Sequence, residues 1–60
     1  MVFHVYEIND SGMRFHRGSF RTIGQVIRFL NEHHYDCTVY NENDEMILVK
    51  RDGEIFRVRR

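Results

Sequence analysis

With sixty residues, 42% of them hydrophobic, 30% charged and none proline, the chain has the composition of a folded protein and not of a disordered tail. Its length allows one small domain over 1–60 and no more. Nine basic and nine acidic side chains cancel, which argues against a generic polyanion binder, whose basic excess is usually visible in the sum.

The first predicted element is a strand from Val2 to Ile8, ended by Asn9-Asp10-Ser11-Gly12, four residues of turn-forming type. A short strand from Met13 to Arg17 is expected to return antiparallel before Gly18 breaks the pattern; one pairing sets Ile8 with Met13 and Tyr6 with Phe15, and the place of this hairpin in the sheet stays open. From Thr22 to His34 the period changes. Ile23, Val26, Ile27 and Leu30 fall at i, i+3, i+4 and i+7 and define one face of a helix. Thr22 with Gln25 three residues on reads as a capping box, Ser19 offers an alternative start one turn earlier that would bring Phe20 onto the apolar face, and His33 and His34 stand where a positive charge complements the helix dipole.

Three strands follow, Cys37 to Tyr40, Met46 to Lys50 and Glu54 to Arg59. Asp52-Gly53 predicts a two-residue turn with positive φ at both positions, which sets Val49 opposite Phe56, Ile47 opposite Val58, Leu48 opposite Arg57 and Met46 opposite Arg59. Across the other loop, Asn41 to Glu45, Tyr40 is expected opposite Met46, Val39 opposite Ile47 and Cys37 opposite Val49. The two hairpins then agree on an inner face of Cys37, Val39, Ile47, Val49, Phe56 and Val58 beneath the helix. The fold class expected is α+β, a small antiparallel sheet in ββαβββ order with one helix packed on one face.

Charge is distributed in blocks. Residues 11 to 31 carry Arg14, Arg17, Arg21 and Arg28 without an acid, and residues 32 to 45 carry Glu32, Asp36, Glu42, Asp44 and Glu45 without a Lys or Arg. The lone cysteine, Cys37, excludes an intramolecular disulfide framework. The start Met-Val-Phe-His-Val-Tyr-Glu lacks the basic and then apolar pattern of a secretory signal, and no apolar run reaches the length of a membrane span. These features give a cytoplasmic expectation.

His33, His34 and Cys37 lie close in sequence, but His4 and His16 sit on separate strands and a structural zinc site needs four ligands, so no metal site is expected. Neither a nucleophile oriented by a base nor a phosphate-binding glycine motif is visible. No catalytic residue, cofactor or small-molecule substrate is therefore assigned, and the chain is read as a non-enzymatic protein.

What remains is the outer face of the C-terminal strands, where Tyr40, Met46, Leu48 and Ile55 alternate with Lys50, Arg57 and Arg59. A solvated face should be mainly polar, so Tyr40, Met46, Leu48, Ile55, Arg57 and Arg59 form the expected partner-binding surface. Its occupant is a protein or a second copy of the chain, as for the small accessory and inhibitor proteins of bacteria and phages. The alternative is a nucleic-acid-binding regulator using Arg14, Arg17, Arg21, Arg28, Arg57, Arg59 and Arg60.

Overall fold

The computed structural model describes residues 1–58 and runs β1 (Phe3–Ile8), β2 (Arg14–Phe20), α1 (Ile23–Glu32), β3 (Cys37–Tyr40), β4 (Met46–Arg51) and β5 (Glu54–Arg57). The strands form one antiparallel sheet in the order β2-β1-β3-β4-β5, with the single helix on one face. The architecture is α+β, as expected. Because β1 is antiparallel to both β2 and β3, those two strands point the same way, and α1 carries the chain over β1 from one to the other.

Two loops are built alike, and each starts from an asparagine. Asn9 Oδ1 accepts from the amides of Ser11 and Met13 at 3.1 and 2.9 Å, and Asn41 Oδ1 accepts from those of Asn43 and Glu45 at 2.9 and 3.0 Å. In both, the fourth residue returns a backbone bond to the asparagine and takes a positive φ, +83° at Gly12 and 62° at Asp44. This is a three-residue hairpin loop whose left-handed position suits glycine. Met13 is thereby opposite Asn9, so Ile8 meets Arg14 and Tyr6 meets His16, one residue beyond the expected pairs with Met13 and Phe15.

Gly18 does not end β2, which continues to Phe20. It lies opposite Val5, and a Cβ there would stand 3.1 Å from the Phe20 ring. The missing side chain leaves room for that ring.

Asp52 and Gly53 adopt φ of 50° and 82°, and the hairpin register they imply is present, with Leu48 opposite Arg57, Val49 opposite Phe56 and Lys50 opposite Ile55. The register of β3 against β4 departs from expectation after its first pair. Tyr40 meets Met46, but Val39 then meets Leu48, Thr38 meets Val49 and Cys37 meets Lys50. Ile47 is the extra residue of a β-bulge, and one added residue exchanges the faces of everything beyond it. Leu48 and Lys50 consequently turn toward the helix with Cys37 and Val39, whereas Val49 and Phe56 turn away from it. A second bulge between β1 and β2 makes Arg17 the extra residue.

Thr22 caps α1, its hydroxyl accepting from the Gln25 amide at 3.1 Å, and the Gln25 side chain reaches back to the Arg21 amide at 3.0 Å. Val26 and Leu30 are fully buried against Phe3, Val5, Cys37, Val39 and Leu48. At the other end of the helix the role expected of His33 and His34 falls to Lys50. Lys50 is 5% exposed, and its ammonium donates to the carbonyl oxygens of Leu30 and His33, groups that a helix end otherwise leaves unsatisfied.

Two stability predictions follow from these contacts. Lys50→Met keeps the aliphatic stem but removes the donor to one buried and one part-buried carbonyl, and chemical denaturation should register a loss of about 2–4 kcal/mol. Asp44→Gly relieves a left-handed aspartate at the position Gly12 fills in the first loop; it should gain about 0.5–1 kcal/mol and raise the melting temperature by roughly 4 °C.

Candidate functional site

The bulge at Ile47 divides the six residues expected on one surface. Leu48 is 9% exposed and belongs to the core, and Ile55 packs against it from the helix side. Tyr40 and Met46 keep their place on the face away from the helix, Arg57 lies opposite Leu48 on the helix side, and Arg59 falls outside the described residues. Lys50 is inside the molecule. Two surfaces therefore replace the one that alternation implied.

On the helix side the coverage is uneven. Phe20, Phe29, His33 and Tyr35 form a chain of rings with centroids 5.3, 4.2 and 5.1 Å apart. Arg17 closes it by standing over Phe15 and Tyr35 while its guanidinium pairs with Glu7 at 2.7 Å. This cluster holds α1 over β1 and β2, its main partners in the sheet. Toward β4 and β5 the helix leaves a groove of about 530 Å³ lined by Ile23, Ile27, Ile47, Leu48, Arg57 and Val58. Ile23, assigned to the buried stripe from its spacing, is 42% exposed there.

The other face of the sheet has no helix. Its centre is a row of Tyr6, Thr38, Val49 and Phe56 across β1, β3, β4 and β5, with Phe56 49% exposed. Thr38 is 3% exposed and its hydroxyl has no partner among the described residues. Toward β2 the side chains become aromatic and polar. Tyr6 meets the edges of His16 and Tyr40 at 5.2 and 5.6 Å, and Arg14 stands over both tyrosines at 5.0 and 5.4 Å while donating to the Tyr40 hydroxyl at 3.0 Å. His4 Nδ1 and His16 Nε2 both meet Ser19 Oγ, at 2.9 and 3.2 Å.

Sequence reasoning missed Tyr6 and His16, and named Arg14 only within the arginine block of the alternative reading, because the second neighbour of β1 in the sheet was unassigned. Strand alternation puts His4 and Tyr6 on one face of β1, a signal that becomes useful once β3 is known to lie beside it. The arginine block does not form one patch either: Arg14 faces the open side, Arg17 pairs with Glu7 on the helix side, and Arg21 and Arg28 are exposed beside and on α1.

The His33, His34 and Cys37 group does not converge. His33 is held between Phe29 and Tyr35, His34 is exposed, and Cys37 is buried with its thiol 3.7 Å from the Tyr35 carbonyl oxygen. Among the described residues no three His, Cys, Asp or Glu side chains gather as a metal site would require, and no helix is long and apolar enough to cross a membrane. Burial pushes the Cys37 thiol up to about 11 against the opposing influence of Lys50, and burial also raises the Tyr35 hydroxyl above its ordinary range.

Comparison with known proteins finds no matching family model, no matching curated protein and no matching solved structure.

The thiol gives a pH prediction. Folded Cys37 keeps its proton to a higher pH than the unfolded chain, so its contribution to stability is complete below about pH 9 and is lost as pH rises through about 11. Urea midpoints should fall more steeply over that window for the wild type than for Cys37→Ala. Equal slopes would show that the thiol carries no part of the alkaline loss.

Proposed function

We propose that this chain is a non-enzymatic binding module that acts by occupying a protein partner through the groove between α1 and strands β4 and β5. Its use as a bacterial or phage accessory or inhibitor protein is an analogy drawn from its size. The observation that carries the reading is the incomplete cover of the sheet. Five strands at about 4.8 Å spacing span roughly 19 Å, whereas one helix with its side chains is about 10 Å wide. With α1 drawn toward β1 and β2, apolar side chains of β4 and β5 are left beside the exposed Ile23.

The vacancy has the width of one more helix, and aliphatic walls suit the apolar stripe of an amphipathic one. Arg57 is the only charged residue in the lining and makes no ion pair among the described residues. It favours a partner helix with an acidic flank, since opposite charge at a rim steers and orients association.

Ile23→Glu tests the reading. The position is exposed in the first helical turn, where an acid complements the dipole, so folding should change by less than about 0.5 kcal/mol. Capture of a host protein from nuclease-treated lysate should be lost with Ile23→Glu and weakened with Arg57→Glu. Leu48→Asp should unfold the chain. Undiminished capture by Ile23→Glu would remove the groove from consideration. A concentration-dependent dimer abolished by that substitution would identify a second copy as the occupant.

A further inference from the structure

We infer that the free edge of β5 pairs antiparallel with β5 of a second copy, giving a twofold dimer whose sheet runs unbroken through both chains. β5 ends the sheet on one side. The Val58 amide donates to the Ile47 carbonyl oxygen at 3.0 Å, and in an antiparallel pair successive residues turn their backbone groups to opposite sides. Glu54, Phe56 and Val58 therefore bond toward β4, and the N–H and C=O groups of Ile55 and Arg57 face out of the edge. The opposite edge is protected differently. β2 is interrupted by its bulge at Arg17 and exposes Arg14, and bulges and charges of this kind blunt an edge against pairing. β5 has no bulge, and its middle is Ile55 and Phe56.

The residues of β5 select one register with their own copy. Outward groups must meet outward groups, so a twofold axis falls on a residue and not between two. Centred on Arg57, it would oppose two guanidinium groups, and like charges directly opposite destabilise a sheet. Centred on Ile55, it would carry Arg57 and Val58 past the strand and onto the Asp52-Gly53 turn of the other chain. Centred on Phe56, it sets Ile55 opposite Arg57 and Glu54 opposite Val58, with both backbone bonds made at each Ile55 and Arg57 pair. The two Phe56 rings, each 49% exposed in the single chain, then meet on the axis in a pair without hydrogen bonds, where side chains come closest.

Net charge does not oppose the contact, since nine basic and nine acidic residues leave two copies without mutual repulsion. The axis stands perpendicular to the sheet, so both helices and both grooves lie on one side of the dimer. Arg57 takes part through its backbone, and its guanidinium stays with the groove.

Sedimentation velocity from micromolar to millimolar protein should show a monomer–dimer equilibrium. Phe56→Lys, an exposed substitution on the face away from the helix, should keep the circular dichroism of the wild type and raise the dimer Kd by about thirtyfold or more, as for losing one interface hot spot. Ile23→Glu should leave the Kd unchanged, which separates the edge from the groove. Mild oxidation tests the register. Phe56→Cys places its two Cα atoms about 4.5 Å apart, within disulfide reach, and should cross-link. Arg57→Cys, whose Cα atoms lie on a diagonal of about 7–8 Å, should not, and neither should the wild type with its buried Cys37. The inference is overturned by a chain that stays monomeric at millimolar concentration, by a dimer that Phe56→Lys leaves intact or Ile23→Glu abolishes, or by a disulfide that forms as readily through Arg57→Cys as through Phe56→Cys.

Discussion

The contact on which the rest of the structure depends is the ammonium of Lys50 beneath the last turn of α1. A lysine this deeply buried would lose several kcal/mol of hydration without compensation. The helix end supplies it, because the last carbonyls lack intrahelical partners and carry the negative end of the dipole. One contact therefore satisfies the strand's charge and the helix's orphan acceptors, and it holds β4 to α1 at a fixed height. It also fixes which way β4 faces. With Lys50 inward, Leu48 must be core and Val49 must be open, and β5 follows through its hairpin register.

Hydrophobicity alone does not choose that orientation. Met46, Ile47, Leu48 and Val49 are four apolar residues in succession, so alternation has no phase to read. An inner face built on Ile47, Val49 and Phe56 buries as plausible a set as one built on Leu48 and Ile55. The bulge at Ile47 resolves the choice. It keeps Ile47 on the helix side, where it lines the groove with Leu48, and still brings Lys50 to the helix end. A bulge also sharpens the local twist and bends its strand, and a sheet with two of them curls more readily around a single helix.

The mismatch between five strands and one helix explains where the accessible chemistry lies. Aromatic packing of Phe20, Phe29, His33 and Tyr35 draws α1 to the β2 side, which leaves an aliphatic groove on the β5 side. The opposite face has no helix over it and varies across its width, from Phe56 and Val49 at one side, past Thr38 buried among its neighbours, to tyrosine, histidine and arginine at the other. Each surface is a consequence of what the helix does not reach.

The sequence by itself determined the order of the elements, the helix and the last turn, while the first hairpin came out one residue off its expected register and β2 ran on past Gly18. The 3.6-residue period of Val26 and Leu30, the Thr22 cap and the Asp52-Gly53 turn depend on neighbours within a few residues, and local chemistry is enough to specify them. The pairing of Tyr40 with Met46 was likewise set by its loop, and both Tyr40 and Met46 were correctly assigned to the open face. Tertiary structure alone decided the remainder. Whether β4 carries a bulge, whether Lys50 is outside or inside, and that β1 lies between β2 and β3 depend on groups distant in sequence meeting in space. Leu48 and Ile55 moved into the interior for that reason, and Tyr6, Arg14 and His16 joined Tyr40 on one surface only when β1 was set beside β3. A one-residue slip in a strand leaves local propensity unchanged but reverses every side chain beyond it, so the face of a strand is settled by the helix end and core that receive it.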